Sequence, residues 1–484
     1  MDNLNLKPRL VFDYFAEICK IPHGSKNEAQ ISKFLQDFGK GLGLETIADE
    51  LGNVLIKKPA TAGYENHKTI ILQSHMDMVC DKRKDVEHDF MKDPIRLVVD
   101  GDWLKADGTT LGADNGIGVA AAMAVLADDT LVHGPVNCLF TIDEETGLTG
   151  AQALGKEMLE GDILLNLDSE DEGEIFIGCA GGVCSYADYR FIWERISGDM
   201  FYMRADISNL VGGHSGDDIN KGRANANKLL NRFLSRIAQK YEFYLCDISG
   251  GSMHNVIPRE ASAVFAVQSA DKESVRVDFN IFAAEVRDEY MVTEPDMRLV
   301  LQSTDPMPRV IDKECTAKLL KSLHAVFNGV FAMSGDVPGL VETSSNLASV
   351  RVVDNAVKVV TSQRSSIESA RDNVAATVCA AFELGGATTV SKGHYPGWKP
   401  NMNSQILKVA CEQYTALFGG EAKIKAIHAG LECGLFLEKA PHLDMISFGP
   451  TMRGVHSPDE RLSIASTERF WQHLVAILAN SPAK

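Results

Sequence analysis

No two of the ten cysteines are spaced as Cys-x-x-Cys, and most of them sit among apolar neighbours. That excludes a thiolate zinc site and gives no disulfide framework, so Cys19, Cys80, Cys138, Cys179, Cys184, Cys246, Cys315, Cys379, Cys411 and Cys433 read as reduced thiols of a cytosol. Positive charge is scarce as well: 48 Lys and Arg stand against 66 Asp and Glu, a formal charge of −18. So acidic a chain offers no basic patch to nucleic acid or to an anionic membrane surface, and its charge serves solubility. No apolar run is long enough to span a bilayer. The first eight residues, Met1 to Pro8, lack the basic-then-apolar pattern of a secretory leader, so the expectation is a cytoplasmic protein. No low-complexity tract or flexible linker appears. What is present is 484 residues, 45% of them hydrophobic, enough for two or three folded domains.

The first 180 or so residues alternate helical and strand patterns. Helices are expected over 8–20, over a stretch ending at Phe38 and over the Ala-rich 116–127, with Ser25 and Glu28 forming a capping box for the second. Strands are expected over 53–56, 69–73, 136–142 and 163–167, the signature of an α/β sheet with helices on both faces. From about Ser185 to Thr389 strands come in adjacent groups (201–207, 241–248 and 263–268, then 348–354 and 356–362). Helical stretches at 222–239, 271–286, 312–327 and 367–384 separate them. That order reads as an α+β domain made of two successive split β-α-β units, a degenerate ferredoxin-like duplication. After Pro396 the α/β style returns, with helices over 404–418 and 466–480 and strands over 422–427 and 445–448. The expected organisation is one discontinuous catalytic α/β domain, residues 1–184 and 390–484, with an α+β lid, 185–389, inserted into it.

The chemistry-bearing residues stand where those strands end. Ile70-Ile-Leu-Gln-Ser-His75-Met-Asp77 reads as a buried strand whose last two polar side chains share one face. Active sites of α/β sheets lie at such carboxyl ends. A ligand imidazole beside a carboxylate that orients it is the functional reading; a structural histidine is the plain one. Asp114, in Gly112-Ala-Asp-Asn115-Gly, is either a helix cap or a carboxylate bridging two cations. The neighbouring Gly116-Ile-Gly118-Val-Ala-Ala121 also fits a dinucleotide fingerprint, though no clear strand leads into it. Glu144 and Glu145 follow a strand, and two adjacent acids repel unless something compensates them. Asp168 ends another strand, and His456 lies in the loop Gly449 to Glu460. Two imidazoles and three carboxylates (His75, Asp114, Glu145, Asp168, His456) suit a pair of zinc ions, with cobalt or manganese as substitutes. Glu144 is then free to act as general base on a shared water or hydroxide.

Five motifs in order, Ser74-His75-Met-Asp77, Gly112-Ala-Asp114-Asn115-Gly116, Asp143-Glu144-Glu145-Thr-Gly147, Asn166-Leu-Asp168-Ser-Glu170 and His456-Ser-Pro458, resemble the dinuclear zinc peptidase family of carboxypeptidase-like and carnosinase-like enzymes. The resemblance covers essentially the whole chain and is nearest to the bacterial branch acting on Xaa-His dipeptides. It implies that Asp77 orients His75, that Asp114 bridges two zinc ions, and that Glu144 is the general base. It further implies that His214, in Val211-Gly-Gly-His-Ser-Gly216, stabilises an oxyanion from the lid. A histidine between glycines on an exposed loop can donate in that way. Asn255 and Arg364 correspond to contacts with the substrate carboxylate, for which an arginine fork is suited. Glu432, in His428-Ala-Gly-Leu-Glu-Cys-Gly434, is a candidate holder of the free α-amine. A homodimer through the lid is expected. Competing readings are an N-acyl amino acid deacylase of the same family, a non-catalytic metal-binding relative, and a dinucleotide-dependent oxidoreductase.

Overall fold

The computed structural model describes residues 4–484. They form two compact units, one running to Cys179 and resuming at Trp398–Ala426 and Leu431–Lys484, the other comprising Ala180–Gly397 and Ile427–Gly430. Among the described residues no helix is long and apolar enough to cross a membrane. All ten cysteines are unpaired.

The first unit is built on an eight-stranded mixed sheet in the order Glu45–Ala48, Val54–Lys58, Val136–Thr141, Ile70–His75, Ile163–Asn166, Asp444–Ser447, Glu174–Cys179, Lys423–Ile427. Its centre is parallel: Ile70–His75 pairs in that sense with both Val136–Thr141 and Ile163–Asn166, and the latter with Asp444–Ser447. These runs are continuous rather than alternating because both faces are covered. Every residue of Ile70–His75, Val136–Thr141 and Ile163–Asn166 is buried. The core against them includes Phe12 and Phe15 of the helix Arg9–Ile18 and Ile117 to Leu126 of the helix Ala113–Ala127. A second, four-stranded sheet orders Met452–Arg453, Arg461–Ser463, Trp103–Ala106 and Leu97–Asp100, so the loop 454–460 is closed by a hairpin.

The capping box does not form. The second helix, Ala29–Gly41, begins without a side-chain cap, and the Ser25 hydroxyl donates instead to Asp77 Oδ2 at 2.8 Å. No strand leads into the glycine run at 116–118 either. Gly118 serves packing: a Cβ there would meet Asn115 Oδ1 at 2.5 Å and the Leu167 carbonyl at 3.0 Å. That removes the structural basis of the dinucleotide reading.

The second unit carries a sheet in the order Arg298–Ser303, Met200–Ser208, Ala261–Gln268, Phe243–Gly250, Val341–Val353, Ala356–Ser365, Gly181–Arg190, Thr388–Tyr395, with Gly329–Met333 added on Val341–Val353. Numbered by chain order, Met200–Ser208, Phe243–Gly250, Ala261–Gln268 and Arg298–Ser303 lie 4-1-3-2, a ferredoxin-like set with helices Ala226–Lys240 and Lys272–Glu289. Gly181–Arg190, Val341–Val353, Ala356–Ser365 and Thr388–Tyr395 repeat the same order with helices Lys313–Ala325 and Glu368–Leu384. The halves are therefore nested, not successive: the first is inserted after the opening strand of the second. They join through antiparallel pairs Ser249↔Arg351 and Gly250↔Val350 and share one hydrophobic core.

Candidate metal centre

Three parallel strands of the first unit bring the acids and His75 to one edge. His75 closes Ile70–His75, Glu144 and Glu145 follow Val136–Thr141, and Asp168 lies two residues beyond Ile163–Asn166. His75 is fully buried. Its Nδ1 faces the Asp77 carbonyl at 3.1 Å and Asp77 Oδ1 at 3.4 Å, which turns Nε2 outward. Nε2 lies 3.1 Å from Asp114 Oδ1 and 3.3 Å from Asp168 Oδ1. The other oxygen of Asp114, Oδ2, lies 3.2 Å from His456 Nε2, which also meets Glu145 Oε2 at 2.9 Å. Asp114 thus stands between two imidazoles, and each imidazole Nε2 has one further carboxylate.

Asp77 organises more than His75. Its Oδ1 also accepts the Glu144 N–H at 3.0 Å, and its Oδ2 the Glu145 N–H at 3.3 Å. One buried carboxylate therefore fixes the imidazole and the start of the acidic turn together. Burial opposes its charge, but His75, the Glu144 N–H and Ser25 outweigh that and hold its pKa below the ordinary range. A second acidic cluster, Glu28, Asp77 and Asp143, adjoins it. Its carboxylates are satisfied by donors, including the Lys26 N–H on Glu28 and the Thr149 hydroxyl on Asp143.

Burial and mutual charge shift the titration of nearly every group at the centre. Burial pulls His75 down, yet Asp168, Asp114 and Asp77 raise it well above its usual value. Hydrogen bonds to Asp114 and Glu145 push His456 up to about 11. Burial drives Asp168 well up. Burial, with repulsion from Glu432, Glu145 and Asp114, pushes Glu144 up to about 8 despite His75. The donor set fits metal ions: two imidazole nitrogens with three carboxylates suit zinc and its neighbours. Ligand atoms of His75, Asp114 and Glu145 all fall within 4.8 Å of one another, and Glu145 Oε1 is buried without a partner.

Glu432 also lies in the first unit, 1% exposed. Its Oε2 accepts from Gln73 Nε2 at 2.6 Å and Thr141 Oγ1 at 2.9 Å, while its buried Oε1 has no partner. Burial pushes its pKa up to about 8. Gln73, passed over in the sequence, was marked by one signal: an amide inside an otherwise apolar strand.

His214, Asn255 and Arg364 belong to the second unit, which brings them together. His214 pairs with Val256 across a two-stranded ladder, beside Asn255, whose carbonyl accepts the Ser215 N–H at 2.8 Å. Arg364, 6% exposed, approaches His214 Nε2 at 3.3 Å and donates to the Tyr395 hydroxyl at 2.9 Å. Its buried Nε has no partner. In this conformation His214 Nε2 is therefore engaged with a guanidinium rather than presented as a donor. His428, which opens the motif that carries Glu432, joins the cluster: buried, and 2.7 Å from Ser344 Oγ. Burial and then the Arg364 charge push it down to about 3, so it is neutral.

A model of peptidase family M20/M25/M40 matches residues 71–480. The chain is 43% identical over 479 residues to the cytosol non-specific dipeptidase of Escherichia coli (strain K12), covering 99% of each chain. It superposes on the crystal structure of aminoacylhistidine dipeptidase from Vibrio alginolyticus with a TM-score of 0.94, at 42% identity, covering 100% of this chain and 99% of that one. An aminopeptidase from Bacillus cereus shares the fold, with a TM-score of 0.56 at 17% identity over 98% of both chains.

Proposed function

The chain belongs to peptidase family M20/M25/M40, and from that premise we propose that it is a metal-dependent dipeptidase acting on dipeptides with a free N-terminus. The observation that carries this reading is Asp114 set between His75 and His456, each with its own second carboxylate. His75 and Asp168 would hold one zinc ion, His456 and Glu145 the other, and Asp114 both. When bound, the two ions would polarise the scissile carbonyl and acidify a water. Glu144 would serve as the base that takes a proton from an attacking water and passes it to the leaving amine. Asp77 keeps the His75 ring in its ligating orientation.

The free oxygen of buried Glu432 supports it as the acceptor for the substrate α-amine. Arg364, with a buried unpaired Nε–H, supports the reading as the clamp on the C-terminal carboxylate, with Asn255 beside it. His214 is retained as the oxyanion donor, a role that requires it to leave Arg364. The close relatives differ by name in breadth, one non-specific and one for aminoacylhistidines, and we propose Xaa-His dipeptides as substrates within a wider range. A cytosolic location fits the unpaired cysteines. A homodimer through the second unit is supported by the open sheet edge Arg298–Ser303 with Val300 exposed, and sedimentation equilibrium reads it directly.

The substrate ends test this reading. Ala-His should be hydrolysed and N-acetyl-His should not; the reverse would favour the deacylase. Amidating Ala-His should raise KM by at least about tenfold in the wild type, since a charged hydrogen bond is worth roughly 1.5–3 kcal/mol. The same amidation should have little effect in Arg364→Ala. Equal sensitivity in both proteins would remove Arg364 from the site.

A further inference from the structure

Four residues beyond His456 stands a carboxylate that the reaction does not use. Glu460 is 2% exposed. It accepts four consecutive backbone N–H groups from the segment that ends on Asp114. Oε2 receives Leu111 at 2.7 Å and Gly112 at 3.1 Å; Oε1 receives Ala113 at 2.8 Å and Asp114 at 3.4 Å. Successive N–H groups converging on one point form an anion-binding nest. The curl needs Gly112, at φ 70°, where a Cβ would also meet Met78 Sδ at 2.8 Å. The chain fills this nest with its own side chain.

Neither ligand next to it is held by regular structure. Asp114 departs from helical geometry, with φ −82° and ψ 108° at the start of its helix. His456 is half-exposed and sits at φ 62° in the loop 454–460. That loop is closed by the pair Arg453↔Arg461 and braced by Ser457 N–H on the Gly454 carbonyl at 3.2 Å and Glu460 N–H on the Ser457 carbonyl at 3.0 Å. Glu460 joins the two segments directly.

We propose that Glu460 is a positioning residue for the metal centre: it locks the backbone of Asp114 against the loop carrying His456 and so sets the spacing of those two ligands. The proposal rests on the reading of the centre as a two-metal site. An ion held by His456, Glu145 and Asp114 would depend on that spacing, whereas His75 closes a buried strand and Asp168 follows another, neither tied to Glu460.

Metal-stripped wild type, Glu460→Gln and Glu460→Ala are titrated with cobalt(II), reading stoichiometry and the cobalt absorption spectrum, with circular dichroism as the check on folding. The wild type should take two ions. Loss of an outer partner of a ligand costs about 10–100-fold in metal affinity. Glu460→Ala should therefore weaken one of the two ions by that factor and change its spectrum. Glu460→Gln, which keeps one carbonyl oxygen but turns an NH2 towards N–H donors, should weaken the same ion about tenfold. At saturating cobalt, Glu460→Gln should keep a wild-type KM for Ala-His and lower kcat. A folded Glu460→Gln protein with wild-type affinities and spectrum overturns the proposal, even where Glu460→Ala does not fold. A wild type that takes up no cobalt removes the metal reading and this inference with it; two ions bound with wild-type affinity and spectrum in both variants remove the inference alone.

Discussion

Replacing Glu144 by Ala or Gln is expected to lower kcat on Ala-His by about 10²–10⁴, the range a general acid–base group supplies, while both ions stay bound. The geometry separates the two adjacent acids: Glu145, not Glu144, meets His456, at 2.9 Å. Glu144 is tied to the centre by its backbone, through its N–H on Asp77, which leaves its carboxylate available for protons. Burial and neighbouring acids push that carboxyl up to about 8. Bound cations would stabilise the charged form and draw the value down. A base works only when deprotonated, so kcat/KM should fall as pH drops through this pKa, with the acid limb below about pH 8. Ion content by elemental analysis, with steady-state kinetics, checks the assignment. Loss of an ion in Glu144→Ala but not in Glu145→Ala would exchange the two roles.

Asp114→Ala is expected to remove the largest share of metal binding. Its two oxygens face two different imidazoles, at 3.1 and 3.2 Å, and among the described residues no other acid pairs with both. Its loss should empty or severely weaken both sites and cut turnover at wild-type metal concentrations by at least about 10³, roughly 4 kcal/mol of barrier. Glu145→Ala should lose one ion and keep the other. Two tightly bound ions in Asp114→Ala would show that the carboxylate does not bridge.

The candidate ligands were legible because of where they stand. His75, the Glu144-Glu145 pair and Asp168 each follow a short buried apolar run, and such runs mark strands whose carboxyl ends carry chemistry. His456, in a loop, carries no local signal and counts as a ligand only in company with the other four. Long-range partners left no local trace. Ser25 and Glu28 have the spacing of a capping box, yet Ser25 lies against Asp77, 52 residues on, and that contact decides its role. Glu460 reads as one more acid in an exposed turn until the N–H groups of 111–114, some 346–349 residues away, close around it. The nesting of the second unit was hidden for a related reason. Its opening strand, Gly181–Arg190, begins with two glycines and finds its first partner in chain order, Ala356–Ser365, only beyond the whole other half. Pairing across that distance is set by the sheet and not by local pattern.

The central claim is that hydrolysis of a dipeptide by this chain depends on two ions at one centre. The most direct measurement strips the purified protein with a chelator, restores zinc or cobalt in steps from zero to excess, and follows Ala-His hydrolysis against bound metal. No measurable turnover is expected in the stripped protein, with recovery that reaches its plateau at two ions per chain. Full hydrolysis by protein shown to be free of metal would contradict it.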